Sequence, residues 1–185
     1  MIRALLLALF LGTTVLTGAE RDPAWAEKLE HPGLPNLHRV GPNLFRCAQP
    51  TEEGLRTAEK LGIKTVINLR GFHSDKDEAK GTNLKTEHIR FNTWNAKDEH
   101  VVRFLKIIAD TNAGPFLIHC KHGADRTGTM TAIYRVAVQG WTKDDAIREM
   151  TKGGFGYHAI WRNLIRYLKK ADVEALKKQA GAKAE

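Results

Sequence analysis

The spacing of apolar positions divides the chain into short strands alternating with amphipathic helices. Residues 64–70 are apolar and β-branched in the middle, and 64–70, 85–91 and 115–119 each predict a strand. Helical spacing runs through Leu55, Ala58 and Leu61 in 51–61, a segment that Gly62 stops. It recurs at Val101, Phe104, Leu105 and Ile108 in 100–110. Residues 129–138 are apolar nearly all round, with Met130, Ala132, Ile133, Tyr134, Val136 and Val138, which predicts a buried helix. Thr142 and Asp145 make a capping box for the next helix. Ile160, Trp161, Leu164, Ile165 and Leu168 predict one face of a last amphipathic helix, and Tyr134, Trp141 and Phe155 are assigned to packing.

Segments 38–40 and 44–46 flank Gly41-Pro42-Asn43 and predict a hairpin. Residues 20–37, with Pro23, Pro32 and Pro35, predict an extended N-terminal arm, and the polar stretch 71–83 a surface excursion. Strands alternating with helices imply an α/β domain with a mainly parallel sheet. Its site is expected outside the carboxyl end of the 115–119 strand.

With 185 residues the chain holds one domain, expected over 38–179 with a disordered tail at 180–185. Residues 1–19 have the pattern of a cleavable signal peptide: Arg3 first, then apolar residues 4–11, then the small residues Thr17-Gly18-Ala19. Gly12-Thr13-Thr14 interrupt the apolar run too soon for it to span a bilayer, and no later segment could span one. A periplasmic or secreted protein is expected. Net charge is +8, falling to +7 when Arg3 leaves with the leader. The basic residues are dispersed and lack interleaved aromatics, which points away from nucleic acid and toward anionic phosphorylated substrates.

The chemistry is concentrated in His119-Cys120-Lys121-His122-Gly123-Ala124-Asp125-Arg126-Thr127-Gly128. Lying between a buried strand and a helix, this run can curl the N–H groups of Lys121, His122, Gly123, Ala124, Asp125 and Arg126 around an oxyanion. Arg126 supplies a planar fork for two phosphate oxygens. In that positive field Cys120 becomes a thiolate nucleophile, and the chemistry read from these residues is phosphoryl transfer to cysteine.

The run resembles the His-Cys-x5-Arg-Ser/Thr signature of the cysteine-dependent protein tyrosine and dual-specificity phosphatases. Leu44-Phe45-Arg46-Cys47-Ala48-Gln49-Pro50 is similar to a segment of the small atypical members, and 64–70 to their second strand. Tyr134-Arg135, Gly140-Trp141 and Gly153-Gly154-Phe155-Gly156 are similar to bacterial periplasmic tyrosine phosphatases of the TpbA-like kind. The resemblance implies a three-layer α/β cysteine-phosphatase fold, with helices flanking a mainly parallel central sheet. It also implies Cys120 as nucleophile, Arg126 as phosphate clamp, and neither metal nor cofactor. His119 would fix the thiolate, and Thr127 would donate its hydroxyl to that thiolate as it leaves. Gly123 permits the tight backbone approach. The family's general acid usually comes from the loop between the 85–91 strand and the following helix, whose only carboxylates here are Asp98, which is favoured, and Glu99; Asp125, inside the His119–Gly128 run, is the alternative. Two positions depart from the pattern: Cys47 where serine or glycine is usual, and Asp125 where TpbA-like loops carry asparagine.

The expected function is an exported phosphatase acting on phosphomonoesters, chiefly protein phosphotyrosine, through a phosphocysteine intermediate. The alternatives are an inositol polyphosphate phosphatase, acting on a small polyanionic phosphoester, and a non-catalytic phosphate-binding module. Cys47 is a candidate redox partner that would form a reversible, inactivating disulfide with Cys120.

Overall fold

Among the described residues, 21–181 of this computed structural model, six strands form one sheet and helices cover both of its faces. The expected leader, and residues 182–185 of the expected tail, lie outside them. The strands are β1 (Glu27–Lys28), β2 (His38–Gly41), β3 (Leu44–Cys47), β4 (Thr65–Asn68), β5 (Lys85–His88) and β6 (Phe116–His119). The helices are α1 (Glu52–Lys60), α2 (Asp98–Ile108), α3 (Asp125–Ala137), α4 (Lys143–Lys152), α5 (Arg162–Lys170) and α6 (Val173–Gln179). The sheet order is β1-β2-β3-β6-β4-β5. The first three strands pair antiparallel and the other three junctions are parallel, as expected of an α/β domain.

Successive strand residues point to opposite faces, and this alternation builds the layers. Val66 and Leu117 pack with Leu55 and Ala58 of α1 on one side. Ile67, Phe116 and Ile118 pack with Phe104 of α2 and with Met130 and Ile133 of α3 on the other. In the parallel register Cys47 and Asn68 both lie level with His119. Three strands therefore end together under the segment that follows His119.

Several boundaries differ from expectation. The arm is tied down at the sheet edge, where Glu27 pairs with Arg39. Helix α2 starts two residues early, at Asp98, because Lys97 is the extended residue that caps it. Leu61 caps α1 and is exposed instead of sharing the face of Leu55 and Ala58. Ile160 is 79% exposed and precedes α5, whose N-cap is Trp161. Helix α5 is not the last: Asp172 caps α6, which buries Val173 and Leu176. Ala180, the first residue of the expected tail, is buried and donates its N–H to Leu176.

Charge inside the helical layer is paired. Arg135 of α3 donates from Nε and Nη2 to Glu149 of α4 at 2.7 and 2.6 Å, with both side chains buried. The same glutamate accepts the N–H of Ala26 at 2.7 Å, and Arg135 Nη2 donates to the Ala24 carbonyl at 3.2 Å, so the pair also holds the arm. Removing one partner leaves a buried charge unmatched. Glu149→Ala is expected to lower stability by about 3–5 kcal/mol, measured by urea unfolding; an unchanged midpoint would contradict this.

Candidate active site

The site is built where β6 ends. Cys120 follows that strand and is 2% exposed, and residues 121–124 turn back into the first residue of α3, Asp125. Gly123 makes the turn possible. Its φ is +69°, and a Cβ there would lie 2.6 Å from the Cys47 carbonyl and the Ala48 nitrogen. The turn is held from outside: Gln49 N–H donates to the Lys121 carbonyl at 3.2 Å, and Asn36 Nδ2 to the His122 carbonyl at 3.0 Å. Beneath it, fully buried Arg46 donates to the Gly123 carbonyl at 2.6 Å while lying 3.8 Å from the Phe155 ring. Burial lowers the Arg46 guanidinium to about 10, opposed by the charge of Glu149.

The N-terminus of α3 faces this turn, adding its unpaired N–H groups and dipole. Half-buried Arg126 keeps Nη1 3.4 Å from the carbonyls of Leu69 and Phe91, beyond the ends of β4 and β5. Lys121 and His122 are exposed on the rim, whereas Ala124 is buried. Thr127 is wholly buried, and its hydroxyl has no hydrogen-bond partner among the described residues. An orphaned buried hydroxyl is costly unless a partner arrives during function.

His119 is fully buried beside Cys120. Its Nε2 lies 2.6 Å from Asp75 Oδ2, and its Nδ1 lies 3.4 Å from the Cys120 carbonyl. Asp75 comes from the excursion at 71–83, and its other oxygen accepts from Gln49 Nε2 at 2.9 Å. Burial alone would raise the Asp75 carboxyl; the hydrogen bond and charge of His119, with Gln49, hold it below the usual carboxylate range. The excursion therefore delivers a buried group to the site.

The two acid candidates occupy different surroundings. Asp98 is exposed in the first turn of α2 and accepts the Tyr167 hydroxyl at 2.8 Å. Asp125 is 6% exposed and is held by His158, accepting its backbone N–H at 2.9 Å and meeting ring Nδ1 at 2.8 Å. Cys47 and Cys120 are both free thiols. They join different cores, Cys47 with α1 and Cys120 with the helical layer opposite. Burial first, then the neighbouring Cys120, pushes the Cys47 thiol up, which disfavours the thiolate needed to close a bridge.

Sequence reasoning missed Asp75, Arg46, Asn36 and His158. Arg46 alone had a signal, its place in the segment that supports the family resemblance. His38 belongs to the same support, with Nδ1 3.0 Å from the Asn36 carbonyl and its ring edge-on to Phe155 at 4.7 Å. Burial lowers its imidazole to about 4. The unfolded chain therefore binds this proton first, and His38 contributes a loss of stability as pH falls from about 6.5 to about 4. His38→Gln should flatten that part of a stability–pH profile; an unaltered slope would remove His38 as its source.

Comparisons with known proteins agree with this geometry. The family described as DSP-PTPase phosphatase fused to NAD+ kinase matches residues 38–163. The dual specificity protein phosphatase TpbA of Pseudomonas aeruginosa is 37% identical, covering 94% of this chain and 82% of the relative. A cysteine-to-serine variant of that phosphatase, solved in complex with phosphotyrosine, superposes with a TM-score of 0.77. It is 33% identical and covers 89% of this chain and all of its own. The inositol diphosphatase DSP5 of Arabidopsis thaliana is 27% identical over 77% of this chain and 72% of its own length.

Proposed function

The chain belongs to the dual-specificity branch of the protein tyrosine phosphatases, and from that premise we propose that it dephosphorylates protein phosphotyrosine through a phosphocysteine intermediate. The observation that carries this reading is buried Cys120 at the start of a turn that runs into α3, with Arg126 and the unpartnered Thr127 hydroxyl immediately after it. The phosphotyrosine bound by the TpbA variant supports the substrate class.

In the first step the Cys120 thiolate forms a bond to phosphorus while the phosphorus–oxygen bond to the tyrosine breaks. The phenolate leaves with a proton from the general acid. The turn's N–H groups and Arg126 hold the three equatorial oxygens as charge builds on them. Water then attacks phosphorus, giving up a proton to the same acid. The sulfur–phosphorus bond breaks, and Thr127 donates its hydroxyl to the departing thiolate. Asp75 and His119 stand behind the nucleophile and fix its backbone.

Asp98 is the proposed acid. It is exposed, and the Tyr167 hydroxyl engages only one of its oxygens, whereas buried Asp125 meets His158 through both. Asp98→Asn should lower kcat about 10²–10⁴-fold for phosphotyrosine, much less for an activated aryl phosphate, and flatten the alkaline limb of the pH profile. All three effects appearing in Asp125→Asn and none in Asp98→Asn would transfer the role to the turn.

The exposed rim of Lys121 and His122, with the likeness to DSP5, favours a second reading, hydrolysis of inositol phosphates. Rates on a phosphotyrosine peptide and on an inositol polyphosphate, measured side by side, decide between them. The first is expected to be faster; a dominant inositol rate would reverse the assignment. The pattern of residues 1–19 supports action outside the cytoplasm, tested by fractionating cells that express the full chain.

A further inference from the structure

The excursion at 71–83 carries a second group of convergent side chains, of which only Asp75 also supports the catalytic turn, through His119. His73 Nε2 lies 3.0 Å from Glu78 Oε1 and 3.8 Å from Asp75 Oδ1, and one ligand atom from each of the three lies within 4.8 Å of the others. This ring nitrogen is shielded from solvent, yet makes no hydrogen bond among the described residues. Two carboxylate oxygens therefore lie close to a ring nitrogen that is hydrogen-bonded to neither. We infer that His73, Asp75 and Glu78 form a binding site for a divalent transition-metal cation such as zinc, placed outside the catalytic turn.

The dimensions fit. Zinc bonds of about 2.0–2.2 Å to nitrogen and oxygen set tetrahedral ligand atoms about 3.3–3.6 Å apart, between the two separations found here. Two carboxylates balance the ion's charge, and the neutral imidazole favours zinc over a purely oxygen-seeking cation. Asp75 is buried at 1% side-chain exposure, and Glu78 and His73 are partly covered at 27% and 33%, so the ligands sit in a sheltered recess. Nearby cations are engaged elsewhere: Lys80 pairs with Asp77 at 2.7 Å, and Arg70 Nη1 donates to Gln49 at 3.0 Å. A fourth position is left for water.

The site's place in the fold gives it a role. Asp75 Oδ2 holds His119 while Oδ1, which also accepts from Gln49 Nε2 at 2.9 Å, faces the ion, so the metal clamps the excursion against the end of the sheet. The ion touches neither substrate nor Cys120 and takes no part in phosphoryl transfer. It is a structural clasp on the strap that positions His119.

Calorimetric titration of the metal-free full chain carrying Cys120→Ser tests this, because no reactive thiolate remains and turnover is not the readout. One zinc ion per chain is expected, with a rise in Tm of about 5–10 °C at saturation. Adding His73→Ala or Glu78→Gln should weaken binding at least about tenfold and abolish the Tm rise. Calcium should give no uptake, since three side chains fall short of its six to eight oxygens. A second convergent group, His122, Asp125 and His158, serves as the control, and His158→Ala should leave zinc binding unchanged. Absence of uptake would overturn the site. So would uptake that survives both excursion substitutions, calcium uptake equal to that of zinc, or loss of uptake with His158→Ala.

Discussion

Replacing Cys120 by serine is expected to abolish turnover while phosphotyrosine still binds. Cys120 opens the turn that leads from β6 into the N-terminus of α3, where a thiolate gains stabilisation. A serine hydroxyl in the same place stays protonated, because its intrinsic acidity is far too weak for that field to ionise it at neutral pH. The nucleophile is lost and the oxyanion-binding backbone remains. Loss of kcat by at least about four orders of magnitude is expected, with a dissociation constant for a phosphotyrosine peptide close to that of the parent. Near-parent activity in Cys120→Ser would remove Cys120 from the chemistry.

Arg126→Lys is expected to be nearly as damaging, for a geometric reason. Arg126 keeps one end of its guanidinium toward the Leu69 and Phe91 carbonyls, which fixes the plane of the fork. A planar fork so fixed meets two phosphate oxygens at once, whereas an ammonium offers one point of contact and rotates freely. The deficit grows in the transition state, when charge accumulates on those oxygens. A fall of about 10²–10³-fold in kcat/KM is expected, carried mainly by kcat. A change confined to KM would mean that Arg126 binds substrate and transition state equally.

What the sequence disclosed follows from how local each interaction is. The run from His119 to Gly128 carries its own strand end, turn and helix start, and the proposed nucleophile Cys120, clamp Arg126 and hydroxyl of Thr127 all fall within it. The central parallel strands β4 and β6 were legible because both of their faces are buried, which writes a mostly apolar run. Asp75 was not legible. It reaches His119 across 44 positions from a polar stretch whose composition resembles any solvated loop. Asn36 and His158 meet the catalytic turn across 86 and 33 positions, for the same reason. Strand β1 is two residues long and helix α6 seven, too short for a periodic signal. Ile160 shows the opposite failure: helical spacing placed it on a buried face, but the helix begins after Trp161 and leaves it in solvent.

The role given to Cys120 is tested most directly by trapping the intermediate. The enzyme is mixed with excess phosphotyrosine peptide, quenched in acid within the first turnovers and digested, and the peptide containing residues 119–126 is analysed by mass spectrometry. The account predicts phosphate covalently attached at Cys120, formed no more slowly than the first product appears and discharged by water on the next step. The account is contradicted if product forms at the full rate while Cys120 never carries phosphate, or if the label is found on another residue.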